Sequence, residues 1–138
     1  MKRTYRLYAP KSVTNATEVP LLVALHGGLG WGDQFANTSR FEVLAATDGV
    51  EALQMLQLRK GGCDLLITDV ILPRMKAAVL AQGARTMFPN IKVLYISGYS
   101  GDMLVSHGVD AQAAYLQKPF LPQAIIEKVA ELLPARPQ

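Results

Sequence analysis

Cysteine is almost missing from this chain of 138 residues: Cys63 stands alone. No intramolecular disulfide can form, and the chain suits a reducing compartment. Long apolar runs are missing too. No stretch approaches the ~20 residues that a membrane helix needs, so a membrane is not expected as a partner. The opening MKRTYRLYAP lacks the apolar centre of a secretory signal, and a soluble, cytoplasmic protein is expected. Nor is there a block of one charge. Lys and Arg number 14 against 11 Asp and Glu, and the net +3 is scattered, too diffuse to point to nucleic acid. Internal repeats and low-complexity tracts are absent. What is there is half hydrophobic and 18% charged, enough to bury the core of one domain spanning 1–138.

Short apolar runs alternate with helical patterns, the rhythm of a parallel sheet flanked by helices. The runs are PLLVALH, FEVLAAT, CDLLITDV, IKVLYIS and AAYLQK. After the second run, Asp48 with Glu51 predicts a helix N-cap, Val50, Leu53 and Leu56 form an apolar stripe, and Gly61-Gly62 ends the helix. MKAAVLAQGARTMF predicts a helix stopped by Pro89, with Gly83 a tolerated weakness inside it. A last helix starts near Pro122 and stops before Pro134, its Ile125, Ile126, Val129, Leu132 and Leu133 facing the core. The first twenty residues break the rhythm. RTYRLYAP alternates as a strand, expected at an antiparallel edge, where it invites pairing into a homodimer.

In an open parallel sheet, ligands sit beyond the carboxyl ends of the strands. Asp69, Ser97 and Lys118 each end or follow a run. With TDGVEAL, DLLITDVILPRM, IKVLYISGYS and LQKPF in this order, the chain from Phe41 to Leu133 resembles a response-regulator receiver domain, especially those of hybrid histidine kinases. The resemblance implies a flavodoxin-like α/β fold, a three-layer parallel sheet of order 2-1-3-4-5 with the extra N-terminal strand at its edge. It also implies roles. Asp69 would be the phosphoacceptor, its carboxylate attacking phosphorus. Ser97 would hydrogen-bond the phosphoryl oxygens, Lys118 would supply positive charge, and Lys118–Pro119 would be cis. The partner would be a histidine kinase or a phosphotransfer protein.

One departure cuts across this. A receiver carries an acidic pair at the end of its first strand, which holds Mg2+ together with the phosphoacceptor. Here His26, Gly27 and Gly28 follow the first run, and no carboxylate appears until Asp33. Ala77 also stands about where the family has a glycine. Asp69 is the one metal ligand left of that set, so Mg2+ binding is expected to be weak and Mg2+-dependent phosphorylation impaired.

Residues 1–40 carry a second resemblance. RTYRLYAPKS followed by VPLLVALHGGLGWGDQF is similar to the amino-terminal region of α/β-hydrolases of the polyhydroxybutyrate-depolymerase and feruloyl-esterase group. There a strand ends in His-Gly-Gly, and backbone N–H groups beyond it stabilise an oxyanion. The resemblance implies that His26, Gly27 and Gly28 form an oxyanion or anion site. If the chain is an enzyme, it would be a weak carboxylesterase. The rest of such an enzyme is missing: GYSGD at Gly98 has aspartate where the nucleophile elbow needs glycine, and His107 sits in a surface turn. A triad of Ser97 or Ser100 with His26 and Asp69 would have to span an intervening strand. Together the two resemblances suggest a chimera, natural or engineered. Residues 1–40 would supply the extra strand and the first strand-helix unit, and 41–138 would be receiver-derived.

Overall fold

The structure is a computed structural model describing residues 21–25, 42–46, 48–58, 62–72, 74–98 and 100–133. Five parallel strands form one sheet in the order β2-β1-β3-β4-β5: β1 (Leu21–Leu25), β2 (Glu42–Ala46), β3 (Leu65–Asp69), β4 (Lys92–Ser97) and β5 (Ala114–Gln117). Four described helices connect or follow them: α1 (Gly49–Leu58), α2 (Ala77–Met87), α3 (Gly101–Ser106) and α4 (Pro122–Leu132). The expected extra strand and homodimer edge fall within residues 1–20, outside the described residues.

The central strands explain the architecture. Every residue of β3 is buried, and so is β4 after its first lysine, as parallel strands covered on both faces must be. Successive side chains point to opposite faces and divide the core in two. Leu66, Val93 and Tyr95 pack with Ala52 and Leu56 of α1 and Leu80, Ala81 and Ala84 of α2. Leu65, Ile67, Leu94 and Ile96 pack with Ile125 and Val129 of α4. β5 alternates between half-buried and exposed positions, as the last strand in the sheet order.

Local details refine the sequence reading. The Asp48 cap forms: its Oδ1 accepts the Glu51 N–H at 2.9 Å. Along α1, however, Ala52 and Leu56 are the deeply buried pair, while Val50 and Leu53 are only half-buried. α1 ends at Leu58, before Gly61-Gly62. α2 begins at Ala77 rather than Met75, with Lys76 as an N-cap whose side chain makes no capping bond. Gly83 is more than a weakness in that helix. A Cβ there would stand 2.9 Å from Leu53 Cδ2, so the glycine lets α2 lie close against α1. α3 was not legible in the sequence: six residues are too few to establish a period.

Candidate functional site at the carboxyl edge of the sheet

β3 delivers Asp69 as its last residue, and β4 delivers Ser97 as its last residue. β5 ends at Gln117, paired with Ser97, and Lys118 follows at once. The Lys118 N–H donates to the Ser97 carbonyl at 2.7 Å, and the Val70 N–H donates to the Ile96 carbonyl at 2.9 Å. The hydrogen-bonded ladder therefore runs one residue past β3 and β5, which fixes the backbone at both Asp69 and Lys118. The Lys118–Pro119 peptide is cis.

The side chains converge. Lys118 Nζ stands 2.8 Å from Asp69 Oδ1, reaching across β4, the strand that carries Ser97. The Asp69 side chain is 10% exposed and that of Lys118 31%, so the pair lies at the floor of the edge with its cation toward solvent. Ser97 is buried too and ends the strand that lies between theirs. Thr68, also buried, turns its hydroxyl to the Asp69 carbonyl at 2.9 Å and so satisfies a polar group next to the site. A carboxylate, a hydroxyl and an ammonium at one sheet edge form a site able to hold a phosphoryl-sized anion and to attack it.

The remaining candidates divide. His26, Gly27 and Gly28 follow β1 directly but lie outside the described residues, as does Asp33. β1 is not a neighbour of β4: β3 separates the strand that precedes His26 from the one carrying Ser97. His107 closes α3 as its C-cap and is half-buried. Among the described residues, no group of three His, Cys, Asp or Glu side chains is placed to hold a metal ion. Asp69, the one residue of the family's Mg2+ ligand set that the sequence retains, faces an ammonium. Among them, too, no helix is long and apolar enough to cross a membrane.

Sequence reasoning missed Arg74. It lies in the loop after β3 with a positive φ of 69° and pairs with Asp48 at 3.3 Å. Nothing in PRM signals this, because arginine is not a residue that marks a left-handed position. It also missed the approach of Tyr115 to α3. A Cβ on Gly101 would lie 3.1 Å from the phenol oxygen.

Comparison with known proteins agrees with this geometry. The family profile described as "Response regulator receiver domain" matches residues 31–130. The chain is 32% identical over 130 residues to the sensor kinase CckA of Brucella abortus (strain 2308), a match covering 89% of this chain. The chain spans only 14% of that kinase's length. Among solved structures, it resembles a response regulator receiver protein from Sinorhizobium medicae WSM419 with a TM-score of 0.70 and 27% identity, covering 83% of this chain and 94% of that one. It also resembles the receiver domain of the hybrid histidine kinase CckA, with a TM-score of 0.66 and 29% identity, covering 81% and 97%. The comparisons lend no support to a hydrolase-derived segment or to a chimera. The kinase match leaves out only about a tenth of the chain, so it reaches into the 1–40 segment where the hydrolase-like motif lies. Five parallel strands of this order, an Asp–Lys pair across their carboxyl ends and a family match over most of the chain lead to one assignment: the chain belongs to the response regulator receiver domain family.

Proposed function

We propose that this domain is a receiver-type signalling module in which Asp69 accepts a phosphoryl group, with its Mg2+-dependent phosphorylation impaired. The observation that carries the reading is the 2.8 Å contact between Lys118 Nζ and Asp69 Oδ1, with Ser97 on the strand between them. In the reaction, an Asp69 carboxylate oxygen forms a bond to phosphorus. The bond from phosphorus to the donor breaks, and the donor leaves with its electron pair: a histidine imidazole of a kinase or phosphotransfer protein, or acetate from acetyl phosphate. Lys118 balances charge on the phosphoryl oxygens and Ser97 donates to one of them. The impairment follows from the sequence. His26, Gly27 and Gly28 stand where the family's acidic pair belongs, and the family match begins only at residue 31.

Incubation with acetyl phosphate, with and without Mg2+, read by intact mass, tests both halves. The expected result is slow uptake of one phosphoryl group that Mg2+ changes little and that Asp69→Asn abolishes. Rapid uptake that depends on Mg2+ would overturn the impairment. Uptake that persists in Asp69→Asn would overturn the assignment of the acceptor.

A further inference from the structure

The loop between β3 and α2 is anchored at both ends. At its start, Val70 bonds to Ile96 and the carboxylate of Asp69 is held by Lys118. At its far end, Arg74 NH1 pairs with Asp48 Oδ2 at 3.3 Å. The other oxygen of Asp48 accepts the N–H of Glu51, so the ion pair grips the first turn of α1. The next residue adds a second contact: a Cβ on Gly49 would stand 3.0 Å from both Cβ and Sδ of Met75. In sheet order β1 lies between β2, which leads to Asp48, and β3, which leads to Arg74. The Arg74–Asp48 contact therefore joins the connections that flank β1.

Stability alone does not account for an arginine at this position. Its φ of 69° is one that glycine adopts without cost and other residues adopt with strain. Its side chain is 68% exposed, and ion pairs that open to water contribute little. So weak a pair does not offset that strain. What is left is a fixed loop conformation, and residues held in such backbone regions cluster where conformation serves function.

We propose that Arg74 is a positioning residue. Latched to Asp48, it fixes the loop that follows Asp69 and so sets how fast that carboxylate takes a phosphoryl group. The proposal rests on the reading of Asp69 as the acceptor. As the carboxylate oxygen bonds to phosphorus and the donor bond breaks, charge on the phosphoryl oxygens needs donors already in place. The Val70 N–H is taken by the Ile96 carbonyl, so the N–H groups of Ile71 and Leu72 are the next backbone donors in sequence after Asp69. Misplacement by about 1 Å is enough to slow such a step a hundredfold.

The test uses the full chain and three variants. Arg74→Gly keeps the backbone conformation and removes the cation. Asp48→Asn keeps a capping acceptor and removes the charge. Arg74→Lys keeps the charge. Amide hydrogen exchange over residues 70–76, thermal melting and the initial rate of uptake from acetyl phosphate are measured for each. Arg74→Gly and Asp48→Asn are expected to speed loop exchange about fivefold, as loss of one exposed pair allows. They should slow uptake about tenfold, with melting points within about 3 °C of the parent. Arg74→Lys should retain uptake within about threefold. Unchanged exchange in both charge-removing variants would overturn the latch. Faster exchange with unchanged uptake would overturn the positioning role, as would a rate loss that only tracks lost stability. A parent protein that takes up no phosphoryl group would overturn the acceptor reading and the rate effect with it. The exchange measurements tell that failure apart from failure of the latch.

Discussion

Replacing Lys118 by Met keeps the apolar stem and removes the charge that faces Asp69. At 2.8 Å and an effective dielectric of about 20, the gross attraction in the pair is about 6 kcal/mol. Most of this is offset by the desolvation that both groups undergo. The two ends are not equivalent. The Asp69 side chain is only 10% exposed and stays where β3 puts it, whereas Lys118 is 31% exposed on a long stem. Removing the lysine takes the cation away from a carboxylate in a poorly hydrated place. Removing the carboxylate lets the ammonium turn to water. Loss of one partner of a fully buried pair costs ~3–5 kcal/mol, and partial exposure lowers this to about 2 kcal/mol for Lys118→Met. Asp69→Asn should cost less than about 1 kcal/mol. For a domain of this size the first corresponds to a fall of about 8 °C in Tm. In the double variant the penalty of Lys118→Met should largely disappear, a coupling of about 1–2 kcal/mol. Urea and thermal denaturation of the four proteins measure it. If Lys118→Met proves no more costly than Asp69→Asn, or the two changes simply add, the asymmetry is refuted.

Other consequences are open to direct measurement. Burial pushes the Tyr95 phenol above its ordinary value of 10.0, while the guanidinium of Arg85, which also hydrogen-bonds to it, works the other way. The folded state thus holds this proton more tightly than the unfolded chain. The resulting stability is complete below about pH 10 and is lost as the pH rises through the raised value. Denaturation of the parent and of Tyr95→Phe between pH 9 and 11 should show the loss in the parent alone. Gly83→Ala gains about 1 kcal/mol of helix propensity but sets a methyl 2.9 Å from Leu53 Cδ2. Because that atom is the end of a flexible side chain, the net change should stay within about 1 kcal/mol of zero, and a loss above about 3 kcal/mol would mean that Leu53 cannot move. Gly49→Ala meets Met75 at Cβ as well as at Sδ, both 3.0 Å away, and a Cβ cannot rotate aside. It should cost about 1–3 kcal/mol by urea titration.

The parts of the fold that were legible in the sequence are those with a period or a run long enough to show one. β3 and β4 read as strands because both faces are covered and nearly every residue is apolar. The Asp48 cap was legible because an acceptor three residues before an acidic side chain has a local meaning, independent of tertiary contacts. The α1 stripe was only partly legible. The alanine at position 52 is fully buried in the cluster that α1 shares with α2, and hydrophobicity alone does not report an interhelical distance. The same distance turned Gly83 from an apparent defect into a contact. At the site, Asp69, Ser97 and Lys118 could be located because strand ends converge at one edge in this architecture. Arg74 could not, since its importance lies in a backbone angle and a partner 26 residues away.

A short motif and a long pattern carry unequal weight for a physical reason. His26-Gly27-Gly28 is three residues, and two glycines after a strand meet the needs of many tight turns. The receiver motifs extend over about two thirds of the chain and are tied to one another by register. Asp69 pairs with Ile96, Ser97 pairs with Gln117, and Lys118 follows with its ammonium on Asp69. Each depends on the sheet order, so they stand or fall together as local resemblances do not. The end of β1 is where the two kinds of evidence collide. It immediately neighbours β3, and its register reaches Thr68, one residue short of Asp69. The departure from the family pattern, His26-Gly27-Gly28, is the stretch that follows this strand in sequence. Histidine and glycines stand in the sequence there in place of two carboxylates. On the proposed reading, a receiver domain without that acidic pair takes up a phosphoryl group slowly and with little help from Mg2+, which the acetyl phosphate assay measures.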